Sequence, residues 1–442
     1  LGTTYSWTVA NNNLVLNEVG SANPTNPNIF NTGPLTSSSI TNTTLVYSVT
    51  PTSGTCTGPV FNVNITVTPT PSISNQLDSI CSGNFPTITG LPGDVIPATA
   101  LYTWTIVSNN PNINGQSNQG VGVSDLSNQV LVNQTNIPQS LTYSITPSSG
   151  PCPGSPFTLT VTVNPGPSLD TALYAICSGN SLTVTLGQGN DIIPVGTTFI
   201  WNVLPNTNIT GQSSNNIASP NFFTGTLQNS QSVNDTLEYW LTPTGPANQN
   251  PQCNGSPFPV FVVVKPTPSL SNTLLNDICS GLSFTYDPNQ NLTPSSIYNA
   301  NTVLSWTVTP NANVSGWSNS VGTNNPTITQ TLTNLTNTVQ AVVYNVTATD
   351  TLSLCTSSTF TVTVNVQPTP TIQPQTASVC SGNAFVITPS ITNNQPSQIV
   401  PNGILYSWPN PVSTPANLIS GGSAQSNQIS ISQVLNIQPP IP

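Results

Sequence analysis

The side chains able to do covalent chemistry in this chain are eight cysteines: Cys56, Cys81, Cys152, Cys177, Cys253, Cys279, Cys355 and Cys380. Histidine is absent, Lys265 is the single base, and the acids number 11. With no histidine and no C-x-x-C pair, the thiols lack the companions of a zinc site. A catalytic thiol would need a base that the chain does not supply, and Ser or Thr without a base is not a nucleophile. What remains for eight thiols is disulfide formation, which implies an oxidising, extracellular compartment. No enzyme is expected.

The elements that must position these cysteines come in a repeating order. Residues 141–168, LTYSITPSSGPCPGSPFTLTVTVNPGPS, form two alternating runs around a Cys-bearing turn, closed by Pro-x-Pro. Copies start at Leu45, Leu237 and Val342, and their tyrosines Tyr47, Tyr143, Tyr239 and Tyr344 lie 96, 96 and 105 residues apart. The linkers TPTP, NPGP, KPTP and QPTP favour extended polyproline II and so act as semi-rigid spacers. They divide the chain into a partial repeat at 1–68, full repeats at 69–165, 166–266 and 267–368, and a partial repeat at 369–442. Both ends cut through a repeat, methionine is absent, and no signal peptide opens the chain, so an internal piece of a longer polypeptide is expected.

Each repeat opens on a run ending in Cys-Ser-Gly, at Cys81, Cys177, Cys279 and Cys380. A strand centred on tryptophan follows, at Trp7, Trp104, Trp201, Trp306 and Trp408, and then the tyrosine and phenylalanine strands. About seven short strands per hundred residues, with turn residues between them and no helical period, predict an all-β tandem array of immunoglobulin-like sandwiches. The five strand tryptophans are expected in the cores, and so are the tyrosines. Trp317, in a Gly/Ser turn, is the tryptophan expected to be exposed.

The alternation assigns faces. In FTLTVTV, Phe157, Leu159, Val161 and Val163 point inward and the three threonines outward. The third repeat breaks this rule, because Trp240, Phe261 and Val263 occupy outward positions. They are either covered by a neighbouring domain or loop, or form a contact patch for a partner.

Two disulfide schemes suit the spacing. Pairing within a repeat gives Cys81–Cys152, Cys177–Cys253 and Cys279–Cys355, with Cys56 and Cys380 pairing outside the fragment. Each bond would close a loop of roughly 70–80 residues, worth on the order of 4 kcal/mol in the chain-entropy model. Pairing across linkers, Cys56–Cys81 and so on, leaves no orphan but needs the chain to double back at Pro-x-Pro. The first scheme is preferred.

Charge excludes several classes of partner. Nucleic acid needs a basic footprint, as does an anionic membrane surface, and neither exists here. No run of about 18 apolar residues is present, so no membrane span is expected. No clustered carboxylates suggest calcium, and no cofactor is expected. Four of the aspartates begin Asp-Ser/Thr-apolar tripeptides, making Ser79, Thr171, Thr236 and Thr351 candidate O-glycosylation acceptors of the kind used in Bacteroidota. About one such match is expected by chance in a chain so rich in Ser and Thr. Lys265 precedes Pro266, so trypsin should find almost nothing to cut.

The repeated ICSGN, the YxWT strand, the LxYxITP…C hairpin and the TVTVNPxP ending together resemble the PKD-like/Ig-like repeats of Bacteroidota giant surface proteins. The Trp-Asp-Phe-Gly-Asp-Gly segment of the classical PKD domain is missing, since Trp104 is followed by Thr-Ile-Val. The resemblance implies export by type IX secretion and a cell-surface adhesin related to the gliding-motility adhesins, with the repeats as its stalk. Its expected partners are neighbouring repeats of the same chain, other copies in a filament, or glycans and surfaces.

Overall fold

A computed structural model describes residues 2–9, 15–16, 34–187, 189–389, 398–416 and 418–438. The described elements are strands, apart from one 3₁₀ turn at Pro288–Gln290. The alternation of branched and aromatic residues with Thr and Ser therefore folds as a tandem series of β-sheets, as expected.

The second repeat shows the plan. Its main sheet runs in the order Gln119–Val123, Leu101–Ser108, Gln139–Ser149, Phe157–Asn164 and Gln76–Cys81. Neighbours are antiparallel except the last pair. There the opening strand Gln76–Cys81 lies parallel to the closing strand, with Cys81 opposite Asn164. The third repeat repeats this order, and its parallel pair sets Cys177 opposite Lys265. In the fourth the opening strand is split into Thr273–Leu274 and Ile278–Cys279, with Cys279 opposite Gln367.

A second layer of ladders two to four residues long covers the inner face of the main sheet in the full repeats, for example Ile113–Asn114 against Val132–Asn133 and Ser283–Tyr286 against Ile328–Thr331. The core lies between the layers and is built from the inward half of each alternation: Trp104, Tyr143, Ile145, Leu159, Val161 and Val163 in the second repeat. A glycine makes the second layer possible. Gly211 has φ +83, and a Cβ there would stand 1.9 Å from the Thr226 carbonyl oxygen, so no side chain fits. A buried asparagine ties this layer to the sheet in three repeats. The Asn133, Asn229 and Asn334 side-chain amides each donate at 2.8 Å to a closing-strand carbonyl, of Val163, Val264 and Val366.

In the first repeat Thr4–Val9, Thr43–Ser53 and Phe61–Val67 form the sheet. In the last, Ala384–Ile387 pairs with Ile431–Val434 and Tyr406–Trp408 with Gln425–Gln428.

Candidate functional site: the joints between repeats

The parallel pairing of opening and closing strands decides where the cysteines go. The opening cysteines Cys81, Cys177 and Cys279 each end a strand at the exit of the repeat, beside the linker to the next one. Each closing-hairpin cysteine precedes the start of the closing strand, at the entrance. Within one repeat the two are separated by the length of that strand, eight residues for Phe157–Asn164, or ~23 Å at the usual rise. A disulfide tolerates Cα atoms no more than about 7 Å apart. Pairing within a repeat is thus impossible, and the preferred sequence-based scheme is wrong: Cys81–Cys152, Cys177–Cys253 and Cys279–Cys355 do not form. The bonds run Cys81–Cys253 and Cys177–Cys355, with Cα separations of 5.5 and 5.7 Å. Each joins the exit of one repeat to the entrance hairpin of the next. The alternative across each linker, Cys56–Cys81 and its kin, fails as well, because it pairs an entrance with the wrong exit.

Polar contacts surround each bond. At the joint of the second and third repeats, the Ser79 hydroxyl donates to the Asn250 carbonyl at 2.8 Å, and the Asn164 amide reaches the same oxygen at 3.2 Å. The Ile193 N–H donates across to Asn136 Oδ1 at 2.6 Å. Gly255 packs so closely on the linker that a Cβ would lie 2.1 Å from the Pro167 carbonyl oxygen. At the next joint the Lys265 ammonium donates to the Ser353 carbonyl at 3.3 Å, and the Ser353 hydroxyl to the Pro266 carbonyl at 3.3 Å. Lys265, expected only to deny trypsin a site, thus also holds a joint.

The hairpin carrying Cys355 is shaped by Asp350. Its carboxylate accepts from Asn299 at 2.7 Å and from the Leu352 and Ser353 N–H groups at 2.8 and 3.2 Å. Burial works to raise its pKa, but those hydrogen bonds prevail and hold the carboxyl below its ordinary value. Asp277 is also lowered, by the Asn365 and Gln367 amides at 3.0 and 2.6 Å.

Trp7, Trp104, Trp201 and Trp306 are buried, and Trp408 is half-buried. Trp317 departs from expectation, because it packs partly buried against its core. Its indole N–H donates to the Val314 carbonyl at 2.9 Å. Gln116 and Gln212 make the same contact in the preceding repeats, at 2.9 and 3.0 Å to Ile113 and Ile209. The tryptophan substitutes for a glutamine plug, and only alignment of the repeats reveals it.

The tyrosines differ from one another. The Tyr143 and Tyr344 hydroxyls donate to Gln129 and Gln330 at 3.0 and 2.8 Å. In the third repeat Gly225 occupies the glutamine's place, and the buried Tyr239 hydroxyl has no hydrogen-bond partner. Aromatic packing replaces the network, with Phe222 5.1 Å from Tyr239 and Phe223 4.8 Å from Trp201, both edge-on. Burial pushes the Tyr239 pKa up to about 12, and that of Tyr143 well above its ordinary value.

The PKD-like domain profile matches residues 1–71, 78–167, 174–268 and 276–370. The chain belongs to the PKD-like domain family. No curated protein matches it. Among solved structures it is similar to the human desmocollin-1 ectodomain, at 11% identity over 100% of this chain and 87% of that one, TM-score 0.21. It is also similar to the I-band fragment I67–I69 of titin, at 10% identity over 68% and 98%, TM-score 0.25. A third is protocadherin gamma B2 extracellular cadherin domains 3–6, at 12% identity over 83% and 92%, TM-score 0.24.

The outer faces of the PKD-like repeats are mostly hydroxyl ladders, such as Thr142 on Thr160 at 3.1 Å. In the third repeat Trp240 stands there, 41% exposed. Phe261 and Val263 are partly exposed beside it. The register adds Leu173, opposite Phe261, and Ile200, diagonal to Trp240. The four candidate acceptors Ser79, Thr171, Thr236 and Thr351 are all exposed. Among the described residues, no three His, Cys, Asp or Glu side chains stand together as metal ligands would.

Proposed function

We propose that this PKD-like array is a structural spacer of an extracellular protein, stiffened by covalent joints. The supporting observation is that both disulfides link successive repeats and neither closes a single repeat. A bond from exit to entrance, beside a Pro-x-Pro linker, removes the hinge that tandem domains otherwise have. Disulfides of this kind belong to an oxidising compartment outside the cell. The setting that fits is the stalk of a cell-surface adhesin of Bacteroidota exported by type IX secretion, holding an adhesive tip away from the cell. The test is small-angle scattering of the chain before and after reduction. The oxidised form should keep a narrow distribution of lengths, and the reduced form a broader one. Equal breadth in both would remove the stiffening role.

A second reading, attachment to glycan or another surface, is favoured by the apolar outer face at Trp240, Ile200, Phe261 and Leu173. A glycan array probed with the chain and with its Trp240→Thr variant tests it. Binding lost in the variant supports attachment there, and no binding by either form dismisses it.

A further inference from the structure

On the outer faces of the repeats, polar side chains answer one another across strands. The Ser140 and Thr162 hydroxyls lie 3.1 Å apart, and the Ser48 hydroxyl donates to Asn62 Oδ1 at 3.2 Å. The third repeat breaks these pairs. Where the second repeat has Ser144, Thr103, Thr160 and Thr162, it carries Trp240, Ile200, Phe261 and Val263. In the fourth repeat the same positions are Asn345, Ser305, Thr363 and Asn365. The exchange leaves outward polar groups facing apolar ones. Glu238 stands opposite Phe261, Asn202 opposite Trp240, and Thr242 opposite Ile200. Among the described residues no hydrogen bond reaches the side chains of Glu238, Asn202 or Thr242.

These three groups surround the exposed indole of Trp240. Glu238 and Thr242 lie two residues before and after it on the same face, ~6.7 Å away along the strand. Asn202 lies directly across from it. An aromatic platform ringed by free hydrogen-bonding groups suits a pyranose ring, whose C–H face stacks while its hydroxyls bond at the edge. Glu238 adds a charge. Lys265, the single base of the chain, is held at the next joint by the Ser353 carbonyl. Asp170, Asp191 and Asp235 share the same repeat. A ligand that brings its own cation answers this field, and an ammonium gains from the indole as well as from the carboxylate. The same charge turns away a second copy of the chain, which would set carboxylate against carboxylate.

We propose that the Trp240 face binds a glycan containing free amino sugars, with one pyranose on the indole and its ammonium at Glu238. This rests on the attachment proposed for the face and names the class of glycan it takes. Asn202 and Thr242 bond the hydroxyls of the stacked sugar. Ile200 and Phe261 give the neighbouring sugars apolar contact. Anionic glycans are repelled.

The test measures binding to the full chain by calorimetry, buffered so that the sugar amine is protonated. The probes are hexamers of glucosamine, N-acetylglucosamine, glucose and galacturonic acid. The glucosamine hexamer should bind roughly tenfold more tightly than the two neutral ones, and the galacturonate hexamer should not bind. Glu238→Gln should erase the preference for the amine and keep the binding of the glucose hexamer. Trp240→Thr should lose all binding with unchanged amide exchange in the core, since hydroxyl residues already occupy this face in neighbouring repeats. No binding of any hexamer by the wild-type chain overturns both the attachment and the amino-sugar assignment. Binding that shows no preference for the amine, yet is lost in Trp240→Thr, leaves attachment standing and overturns the assignment. So does a lysine hexapeptide held as tightly as the glucosamine hexamer, or amine binding that survives Trp240→Thr, because either reduces the effect to general charge attraction. Dimerisation that depends on Trp240, in place of glycan binding, gives the face to a second copy and overturns it too.

Discussion

Cys177 and Cys355 are bonded although 178 residues separate them, and the Cys81–Cys253 loop overlaps theirs. Cys177 lies inside the first loop and Cys253 inside the second. The joints are therefore interlocked.

Interlocking fixes how far the chain can be pulled. The shortest covalent path through both bonds is about 200 residues shorter than the polypeptide, or ~70 nm at full extension. Single-molecule stretching should show this additional length only after reduction. A chain that reaches the same length oxidised would mean the bonds are not those described. Non-reducing peptide mapping should recover Cys81 with Cys253 and Cys177 with Cys355.

The joint held by Asp350 should weaken in acid, while its neighbour, whose hairpin at 245–253 has no carboxylate, should not. A carboxyl lowered in the folded state contributes stability above its unfolded pKa, ~3.9, and that contribution is lost as pH falls through the folded value. Phosphine reduction of Cys177–Cys355 should accelerate below about pH 4 relative to Cys81–Cys253. Asp350→Asn should produce roughly a tenfold acceleration at neutral pH, the effect of losing ~1.5 kcal/mol of charge-assisted bonding.

Gly255→Ala should damage one joint and spare the repeats. Its Cβ would meet the Pro167 carbonyl at 2.1 Å and the Pro243 ring at 2.8 Å. We expect faster reduction of Cys81–Cys253 with unchanged tryptophan fluorescence. A change in fluorescence would show that the strain enters the core instead.

Tyr239→Phe should be neutral or stabilising, because it removes a buried hydroxyl without a partner. Tyr143→Phe should cost about 1 kcal/mol by breaking its bond to Gln129. Alkali separates wild type from Tyr239→Phe further. The unfolded tyrosine loses its proton near 10 and the folded one only at about 12. Between those values the native state holds more protons, so stability falls as pH rises. The variant should lose less in this window, read as amide exchange in the third repeat.

Alternation made the sheets legible: the inward set of FTLTVTV is the buried set. The outward position of Trp240 was equally plain. The disulfides were not, because spacing counts residues along the chain while pairing depends on which end of a sheet a cysteine occupies. That end is set by the parallel alignment of first and last strands, which alternation does not encode. Trp317 departs from its turn context for a related reason. Its turn context suggests exposure, yet the place of Gln116 and Gln212 gives it carbonyls to satisfy. The contact shared by Asn133, Asn229 and Asn334 leaves only one trace in the sequence, an asparagine at the same place in three repeats, and alternation does not say that its amide turns inward.

Overlapping bonds also bear on damage. A single backbone break anywhere between Cys81 and Cys355 leaves the two sides tied by at least one disulfide. A break between Cys177 and Cys253 is spanned by both. One protease cut there would open a loop without parting the thread, so the molecule would fail only after a second lesion of a different chemical kind.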